Sequence, residues 1–157
     1  MIAFELGHLY AVIGVILAVM GGGLGSAIAL TKTGQAVAGL CSENSSLYGK
    51  VVVVQLLPAT QGIYGFVVGI LIMSNLGIIG GNGLIALSAL KGLSFLIASL
   101  PVCIVGFFSA IYQGKAGCAA INMVGKDPTT SGKGVILAAV VEFYAILGML
   151  ASILLIS

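Results

Sequence analysis

Long apolar runs separated by short polar segments form the main pattern of this chain of 157 residues. Four runs lack the alternation of barrel strands, and each is long enough to cross a bilayer, which takes about 20 residues in a helix. The pattern predicts an all-α membrane protein, a single membrane domain over residues 1–157. Its four transmembrane helices are expected at Leu9–Leu30, Val51–Leu76, Leu93–Tyr112 and Val135–Ile156.

The distribution of charged residues predicts how the chain is oriented in the membrane. Charged residues make up 6% of the chain, against about 25% in soluble domains. Five lysines flank or lie in the segments after runs one and three: Lys32, Lys50, Lys115, Lys126 and Lys133. Only Lys91 is expected on the opposite side of the membrane. The positive-inside rule predicts both termini outside the cell and the loops after helices one and three in the cytoplasm. The basic residues are too few and scattered to bind nucleic acid.

The chain aligns with itself without a gap at an offset of 83 residues, which places residues 23–74 against residues 106–157. Fifteen of these 52 positions are identical, including two lysine pairs. A constant offset of this kind indicates an internal repeat. We therefore expect two tandem helical hairpins of the same orientation, at about 1–76 and 91–157.

Small residues recur at four-residue spacing on one face of the first run: Gly14, Ala18, Gly22 and Ser26. The third run is similar, with Gly106, Ser109 and Ala110. Small residues let membrane helices approach closely. Packing within one chain would explain this stripe. An oligomeric ring would explain it too, with helices one and three as a crowded inner layer and the bulkier helices two and four outside.

Glu142 is the only charged residue in the run Val135–Ile156. A carboxylate at that depth is costly, and such groups are by default candidates for functional sites. The equivalent position in the first hairpin is Ala59, and no lysine lies at a matching depth. Glu142 is therefore the leading candidate to bind a small cation or a proton.

Neutral oxygen-bearing side chains are expected at the depth of Glu142. Gln113 lies 15 residues before Pro128, the centre of the second loop, and Glu142 lies 14 residues after it. The repeat places Thr60 and Gln61 at the same level, because helices rise by an equal amount per residue. This set favours an alkali cation, since a proton needs only the carboxylate and one hydrogen-bond partner. Ordinary packing, with the glutamines as links between helices, is the alternative.

Two further residues, Pro58 and Tyr64, support such a site. Pro58 has no N–H, so the carbonyl of Val54 loses its helical partner and the helix is expected to distort there. Carbonyls near such a break can turn toward a cation. Tyr64 lies one turn after Thr60, where its hydroxyl can hold the carboxylate.

Three stretches carry a resemblance to a known family: LLPATQGIYGF (56–66), YQGK (112–115) and VEFYAILG (141–148). With them the chain resembles the proteolipid subunit that forms the membrane rotor ring of bacterial V-type, sodium-translocating ATPases. The resemblance implies a homo-oligomeric ring that a separate ATP-hydrolysing head turns, with no catalysis by this chain. It also implies a Na⁺ site, with H⁺ as the competing ion, formed by the Leu57 carbonyl and the side chains of Thr60, Gln61, Gln113 and Glu142, with Tyr64 bonded to Glu142.

The resemblance also implies partners. A stator subunit would bring an arginine to Glu142, central-stalk subunits would rest on the loops 41–50 and 127–133, and lipid would surround the ring. No nucleotide is expected, because Asp127 and Gly134 stand where a phosphate loop needs Gly and Ser or Thr. The main alternative is the same rotor role with H⁺ as the ion. A small multidrug-type transporter is less well supported, because such proteins use aromatic walls and this chain has no Trp. A structural scaffold is less well supported because it would not need Glu142.

Overall fold

The computed structural model describes residues 5–79 and 84–157; residues 1–4, which the first predicted repeat includes, and residues 80–83 lie outside these ranges. The described chain forms the α-helices α1 (Leu6–Glu43), α2 (Tyr48–Leu56), α3 (Thr60–Asn75), α4 (Ala89–Lys126), α5 (Ser131–Ala139) and α6 (Glu142–Ile156). Short 3-10 turns lie at Ser45–Leu47, Leu57–Ala59 and Pro128–Thr130. Four segments are long and apolar enough to cross a membrane: Leu6–Glu43, Ser45–Asn75, Ala89–Lys126 and Pro128–Ile156. The predicted all-α membrane fold is confirmed.

The offset of the sequence repeat reappears in the helix bounds. α1 and α4 both contain 38 residues, and α4 begins and ends 83 positions after α1. α2 and α5 both contain 9 residues and show the same displacement. The chain therefore consists of two tandem, duplicated hairpins, which we call hairpin one (α1 to α3) and hairpin two (α4 to α6). Each has one long inner helix and an outer arm broken into two helices.

The turns inside the hairpins are shorter than the predicted loops 41–50 and 127–133. Asn44 Oδ1 accepts the backbone N–H and the hydroxyl of Ser46 at 3.1 and 2.7 Å. Asp127 Oδ1 accepts the same two groups of Thr129 at 2.9 and 2.7 Å. A side chain that bonds the backbone two residues further on closes a compact turn. Only Asn44 and Asp127 therefore separate the long helices from the 3-10 turns.

The long helices also extend beyond the predicted membrane runs, because their polar-flanked ends still bury apolar residues. α1 continues from Leu30 to Glu43, and α4 continues from Tyr112 to Lys126. One apolar core, which includes Ile72, Phe95 and Val102, lies at the other end of the bundle. The extensions share a second apolar core, made of Val37, Val51, Val54, Ala120, Ile121, Val124 and Ala138. Packing against this core explains why helical structure does not end with the apolar run.

α1 and α4 pack against each other along their length, with α3 and α6 on the outside. The predicted stripe Gly14, Ala18, Gly22 and Ser26 is buried. A Cβ atom on Gly14 would lie 3.0 Å from the Cα of Leu96, and one on Gly25 would lie 2.9 Å from the Cα of Phe107. Gly14 of the predicted stripe, with Gly25 beside it, therefore lets the backbones of α1 and α4 touch, whereas Gly22 of the stripe lies against the Gln61 carbonyl of α3.

The connection between the hairpins is held at both sides. Gly77 ends α3 in the left-handed region, with φ of 75°, which a glycine adopts without steric cost. His8, in the first turn of α1, is fully buried. Its Nδ1 accepts the N–H of Glu5 at 3.1 Å, so its Nε2 carries the proton and donates to the carbonyl of Ile85 at 2.9 Å. This side chain ties the start of hairpin one to the segment that leads into hairpin two.

Candidate ion-binding site

A helix break positions the candidate residues of hairpin one. The 3-10 turn Leu57–Ala59 separates α2 from α3 and contains Pro58, which cannot donate a backbone hydrogen bond. α3 begins at Thr60, so Thr60, Gln61 and Tyr64 lie in its first two turns. The proline therefore restarts the helix immediately before the polar residues.

A second break, at the equivalent place in hairpin two, positions Glu142. Val140 and Val141 separate α5 from α6, and they lie 83 residues after Leu57 and Pro58. No proline or glycine is present here. Instead, the carbonyl of Ala138 accepts the side-chain amide of Gln113 at 3.2 Å, and a side chain inserted into the helical ladder is a recognised cause of a kink. Glu142 is thereby the first residue of α6.

Two glutamines from different hairpins form the buried centre of the site. The side chains of Gln61 and Gln113 are fully buried, and Gln61 Nε2 donates to Gln113 Oε1 at 2.5 Å. The Oε1 of Gln61 is buried without a hydrogen-bond partner. Leaving a buried acceptor unsatisfied costs about 1–3 kcal/mol. A cation at this oxygen would remove that cost.

The carboxylate lies against the same helix of hairpin one. The Tyr64 hydroxyl donates to Glu142 Oε1, and Glu142 is half-buried. One turn earlier, the Thr60 hydroxyl donates to the Leu57 carbonyl at 3.0 Å. Two oxygens so close together can face one small cation, once the hydroxyl proton turns away from the carbonyl.

The structure thus brings the predicted residues together in three pairs: Leu57 with Thr60, Gln61 with Gln113, and Tyr64 with Glu142. Within residues 5–79 and 84–157, no three His, Cys, Asp or Glu side chains gather as a metal cluster. One carboxylate among neutral oxygens balances a single positive charge, whereas Ca²⁺ sites commonly use several carboxylates. The arrangement therefore suits a monovalent, hard cation.

Sequence reasoning missed the Ala138 carbonyl, which fixes the orientation of the Gln113 amide so that its oxygen faces Gln61. It also missed Thr33, a fully buried residue of α1. The Thr33 hydroxyl lies 3.2 Å from the carbonyl of Gln55, which is the repeat equivalent of Ala138. The Thr33 hydroxyl also lies 3.1 Å from the carbonyl of Ala29, so the two carbonyls compete for the single hydroxyl proton. Thr33 is the repeat equivalent of Ala116 and not of Gln113, so the repeat alone predicts neither contact.

Comparison with known proteins agrees with this structure. The family of the ATP synthase C subunit matches residues 13–72 and again residues 96–155, two matches displaced by the same 83 positions. The chain is 43% identical over 150 residues to the K subunit of the V-type sodium ATPase of Enterococcus hirae, covering 96% of this chain and 92% of that protein. It is 36% identical over 145 residues to the K subunit of the A-type ATP synthase of Methanocaldococcus jannaschii, covering 87% of this chain and 61% of that protein. The chain is therefore a multi-pass membrane protein of the ATP synthase C-subunit family, in which the family's unit occurs twice.

Proposed function

We propose that this chain is the ion-carrying rotor-ring subunit of a V-type ATPase and that each copy binds one Na⁺ at Glu142. The observation that carries the proposal is the buried, partnerless Oε1 of Gln61. Gln61 lies on the same helix, α3, as Thr60 and as Tyr64, which bonds the carboxylate of Glu142. The similarity to a K subunit whose name specifies sodium supports the choice of ion. The chain itself hydrolyses no ATP.

Five oxygen-bearing groups form the proposed binding site: the Leu57 carbonyl and the side chains of Thr60, Gln61, Gln113 and Glu142. Hard cations prefer oxygen ligands, and here only one of the five groups carries charge. The hydroxyl of Tyr64, which bonds one carboxylate oxygen, leaves the other oxygen of Glu142 for the ion. Ala138 holds the Gln113 amide in place behind the site.

Transport follows from the cost of an exposed charge in lipid. With Na⁺ bound, the charge of Glu142 is neutralised and the half-buried site can face the hydrocarbon region. Empty and ionised, it cannot do so cheaply, so the ring turns with occupied sites. At the stator, an arginine attracts the ionised carboxylate while the ion exchanges with an aqueous half-channel.

The proposed ATPase complex contains further subunits besides this chain. A soluble ATPase head turns the ring through a central stalk that rests on the turns within 41–50 and 127–133, on the cytoplasmic side, with both termini outside. One carboxylate per four helices lowers the number of ions that move per turn. A low ion number favours ATP-driven pumping over synthesis.

The same rotor role with H⁺ as the ion is the second candidate. The bond between Tyr64 and Glu142 would serve a protonated carboxyl equally well. A proton on Glu142 would leave the buried Gln61 oxygen unsatisfied, and this observation favours Na⁺.

Carbodiimide labelling of the purified protein across pH tests the proposal. The reagent attacks a protonated, accessible carboxyl, so we expect Na⁺ to protect Glu142 and K⁺ at the same concentration not to protect it. The Glu142→Gln variant, which has no carboxyl at this position, gives the background. Labelling that Na⁺ does not change would contradict the sodium site and favour the proton ring.

A further inference from the structure

The broken outer arm of hairpin one contacts two buried hydroxyl groups of α1. Ser26 is 6% exposed and Thr33 is fully buried. The two residues lie seven positions apart, which is about two turns of an α-helix. Both therefore lie on one side of α1, and neither belongs to the five oxygen-bearing groups of the proposed ion site.

Ser26 contacts the start of α3. The backbone N–H of Gly62 donates to Ser26 Oγ at 3.0 Å. Gly62 lies in the first turn of α3, where backbone N–H groups have no acceptor within their own helix. A hydroxyl from a neighbouring helix thus does what an N-cap side chain usually does, and it does so at the residue directly after Gln61.

Thr33 lies at the other end of the helix break. Its hydroxyl is 3.2 Å from the carbonyl of Gln55, in the last turn of α2, and 3.1 and 3.2 Å from the carbonyls of Ala29 and Leu30 in α1. The α1 carbonyls already accept N–H groups of their own helix. Ala59, which would bond Gln55 in a continuous helix, lies in the 3-10 turn, where N–H groups bond three residues back. The Gln55 carbonyl therefore gains most from the Thr33 proton.

Packing fixes the orientation of both contacts. The methyl group of Thr33 faces α4, where a Cβ atom on Gly117 would lie 3.0 Å from it. Gly22, one turn before Ser26, lies so close to the Gln61 carbonyl that a side chain there would collide with it. The backbone of α1 therefore touches the backbone of α3 at Gln61, beside the bond from Gly62.

We propose that Ser26 and Thr33 are positioning residues of the ion site, which hold the two ends of the helix break without touching the ion. Their contacts, at Gln55 and Gly62, enclose the segment 57–61, which contains every group that hairpin one contributes to the proposed five. Holding both ends of so short a segment holds its oxygens in place, and the rigidity of a site helps to determine which ion it selects. The inference rests on the proposed function and adds two residues that shape its site.

Hairpin two offers the comparison that the sequence repeat provides. Ser109 is the equivalent of Ser26, and its hydroxyl donates to the Gly106 carbonyl of its own helix at 3.3 Å. The equivalent of Thr33 is Ala116, which has no hydroxyl. The two contacts of α1 therefore belong to the hairpin that supplies most of the neutral oxygens, and Ser109 provides a matched control.

A pair of substitutions at Thr33 separates positioning from packing. Thr33→Val keeps the shape of the side chain and removes the hydroxyl, whereas Thr33→Ser keeps the hydroxyl and removes the methyl group. In the carbodiimide assay, the Na⁺ concentration that half-protects Glu142 should rise about tenfold in Thr33→Val, as for loss of an outer partner. It should stay close to the wild-type value in Thr33→Ser. A loss in Thr33→Ser as large as in Thr33→Val would indicate packing and overturn the assignment.

Ser26→Ala should raise the same Na⁺ concentration about tenfold, because the N–H of Gly62 loses its acceptor. The controls are Ser109→Ala and Thr31→Val, whose hydroxyls bond carbonyls of their own helices. Both controls should match the wild type. Equal losses in Ser26→Ala and Ser109→Ala would contradict the positioning role of Ser26.

A second measurement follows the Gly62 amide without a bound ion, by solid-state NMR of the assembled protein labelled with ¹⁵N-glycine. Ser26→Ala should shift the Gly62 amide proton upfield, because a hydrogen bond is lost. The amide of Gly69, two turns further along α3, should not move. An unchanged Gly62 amide would overturn the contact with Ser26.

The outcomes separate this inference from the proposed function. Labelling of the wild type that Na⁺ does not change would refute the ion site, and the positioning roles with it. Na⁺ protection of the wild type, with unchanged half-protection in both Ser26→Ala and Thr33→Val, would overturn the positioning roles and leave the ion site standing. If Ser26→Ala does not assemble, the matched pair at Thr33 decides.

Discussion

The two hairpins share one scaffold and differ in chemistry at the level of their helix breaks. α1 and α2 of hairpin one have the same lengths as α4 and α5 of hairpin two. At the break, hairpin one has Pro58 and Ala59, whereas hairpin two has Val141 and Glu142. The backbone distortion is therefore kept in both copies, while the carboxylate is present in one.

Hairpin one lacks the carboxylate but still contributes side chains to the proposed site. Its helix α3 contributes Thr60, Gln61 and Tyr64, whose partners in space include Gln113 and Glu142 of hairpin two. One copy thus offers most of the neutral oxygens and the other offers the charge. The difference teaches that the two repeats have diverged into complementary parts of one proposed site, with neutral oxygens on α3 and the carboxylate on α6.

The largest expected effect comes from the charge itself. Replacing Glu142 by Gln should abolish Na⁺ transport while the oligomer still assembles, because a neutral amide costs less to bury than a carboxylate. The loss of Na⁺ affinity should exceed the roughly 10–100-fold that removal of an outer partner typically costs. Ala59→Gln, the same amide at the equivalent position of hairpin one, is the matched control.

Binding of ²²Na⁺ to the purified protein and Na⁺-dependent ATP hydrolysis by the assembled complex are the measurements. The control should retain both activities. Normal transport by Glu142→Gln would remove the central claim of the proposed function.

The next effect compares a glycine in the contact of hairpin one with hairpin two with a glycine of hairpin one outside that contact. Gly21→Ala would place a Cβ 2.6 Å from the Cα of Cys103, and overpacking of this kind typically costs about 1–3 kcal/mol. A lower dissociation temperature of the oligomer in detergent is expected. Gly39→Ala, where a Cβ meets no atom within 4 Å, should leave that temperature unchanged or raise it, because alanine favours a helix over glycine. Equal temperatures for both variants would contradict the close contact of α1 with α4.

A smaller effect is expected from the tyrosine that spans the two hairpins. Tyr64→Phe removes the donor to Glu142, and such partners typically contribute about 10–100-fold to ion affinity. Titration of Na⁺ protection in the carbodiimide assay measures the change. Tyr144→Phe is the control, since Tyr144 is 65% exposed and the hydroxyl that bonds the carboxylate belongs to Tyr64. A Tyr64 variant with unchanged affinity would leave this residue a packing role.

The smallest effect concerns the turns. The Thr129 hydroxyl, and then its N–H, hold the pKa of the exposed Asp127 carboxyl below its usual range. The contribution of this cap is complete above the ordinary aspartate pKa and is lost as the pH falls through the lowered value. NMR should therefore show the Thr129 amide shift changing at strongly acid pH. The Ser46 amide should stay constant, because Asn44 does not titrate, and a parallel change at both turns would contradict the assignment.

Much of the fold follows from the sequence, because membrane helices need long apolar runs and a repeat at constant offset copies its structure. The four spans, the two hairpins and the family resemblance are confirmed. The lengths of the long helices and the short turns were predicted less well, since the second core and the caps of Asn44 and Asp127 arise from contacts between segments. The ligand roles of Leu57, Thr60, Gln61, Gln113 and Glu142 stay predictions, although the structure brings these residues together.

The sequence by itself determined which residues have the chemistry for an ion site, because a lone carboxylate in an apolar run and a proline before Thr60 are local features. Only the tertiary structure decided how they meet. The break before Glu142 has no proline or glycine to signal it, and there the Ala138 carbonyl of α5 accepts the Gln113 amide of α4. The Oε1 of Gln61 likewise has no hydrogen-bond partner in the packed structure, which no sequence pattern indicates. The contacts among these residues are hydrogen bonds between helices, and such bonds depend on three-dimensional packing, which the linear pattern does not contain.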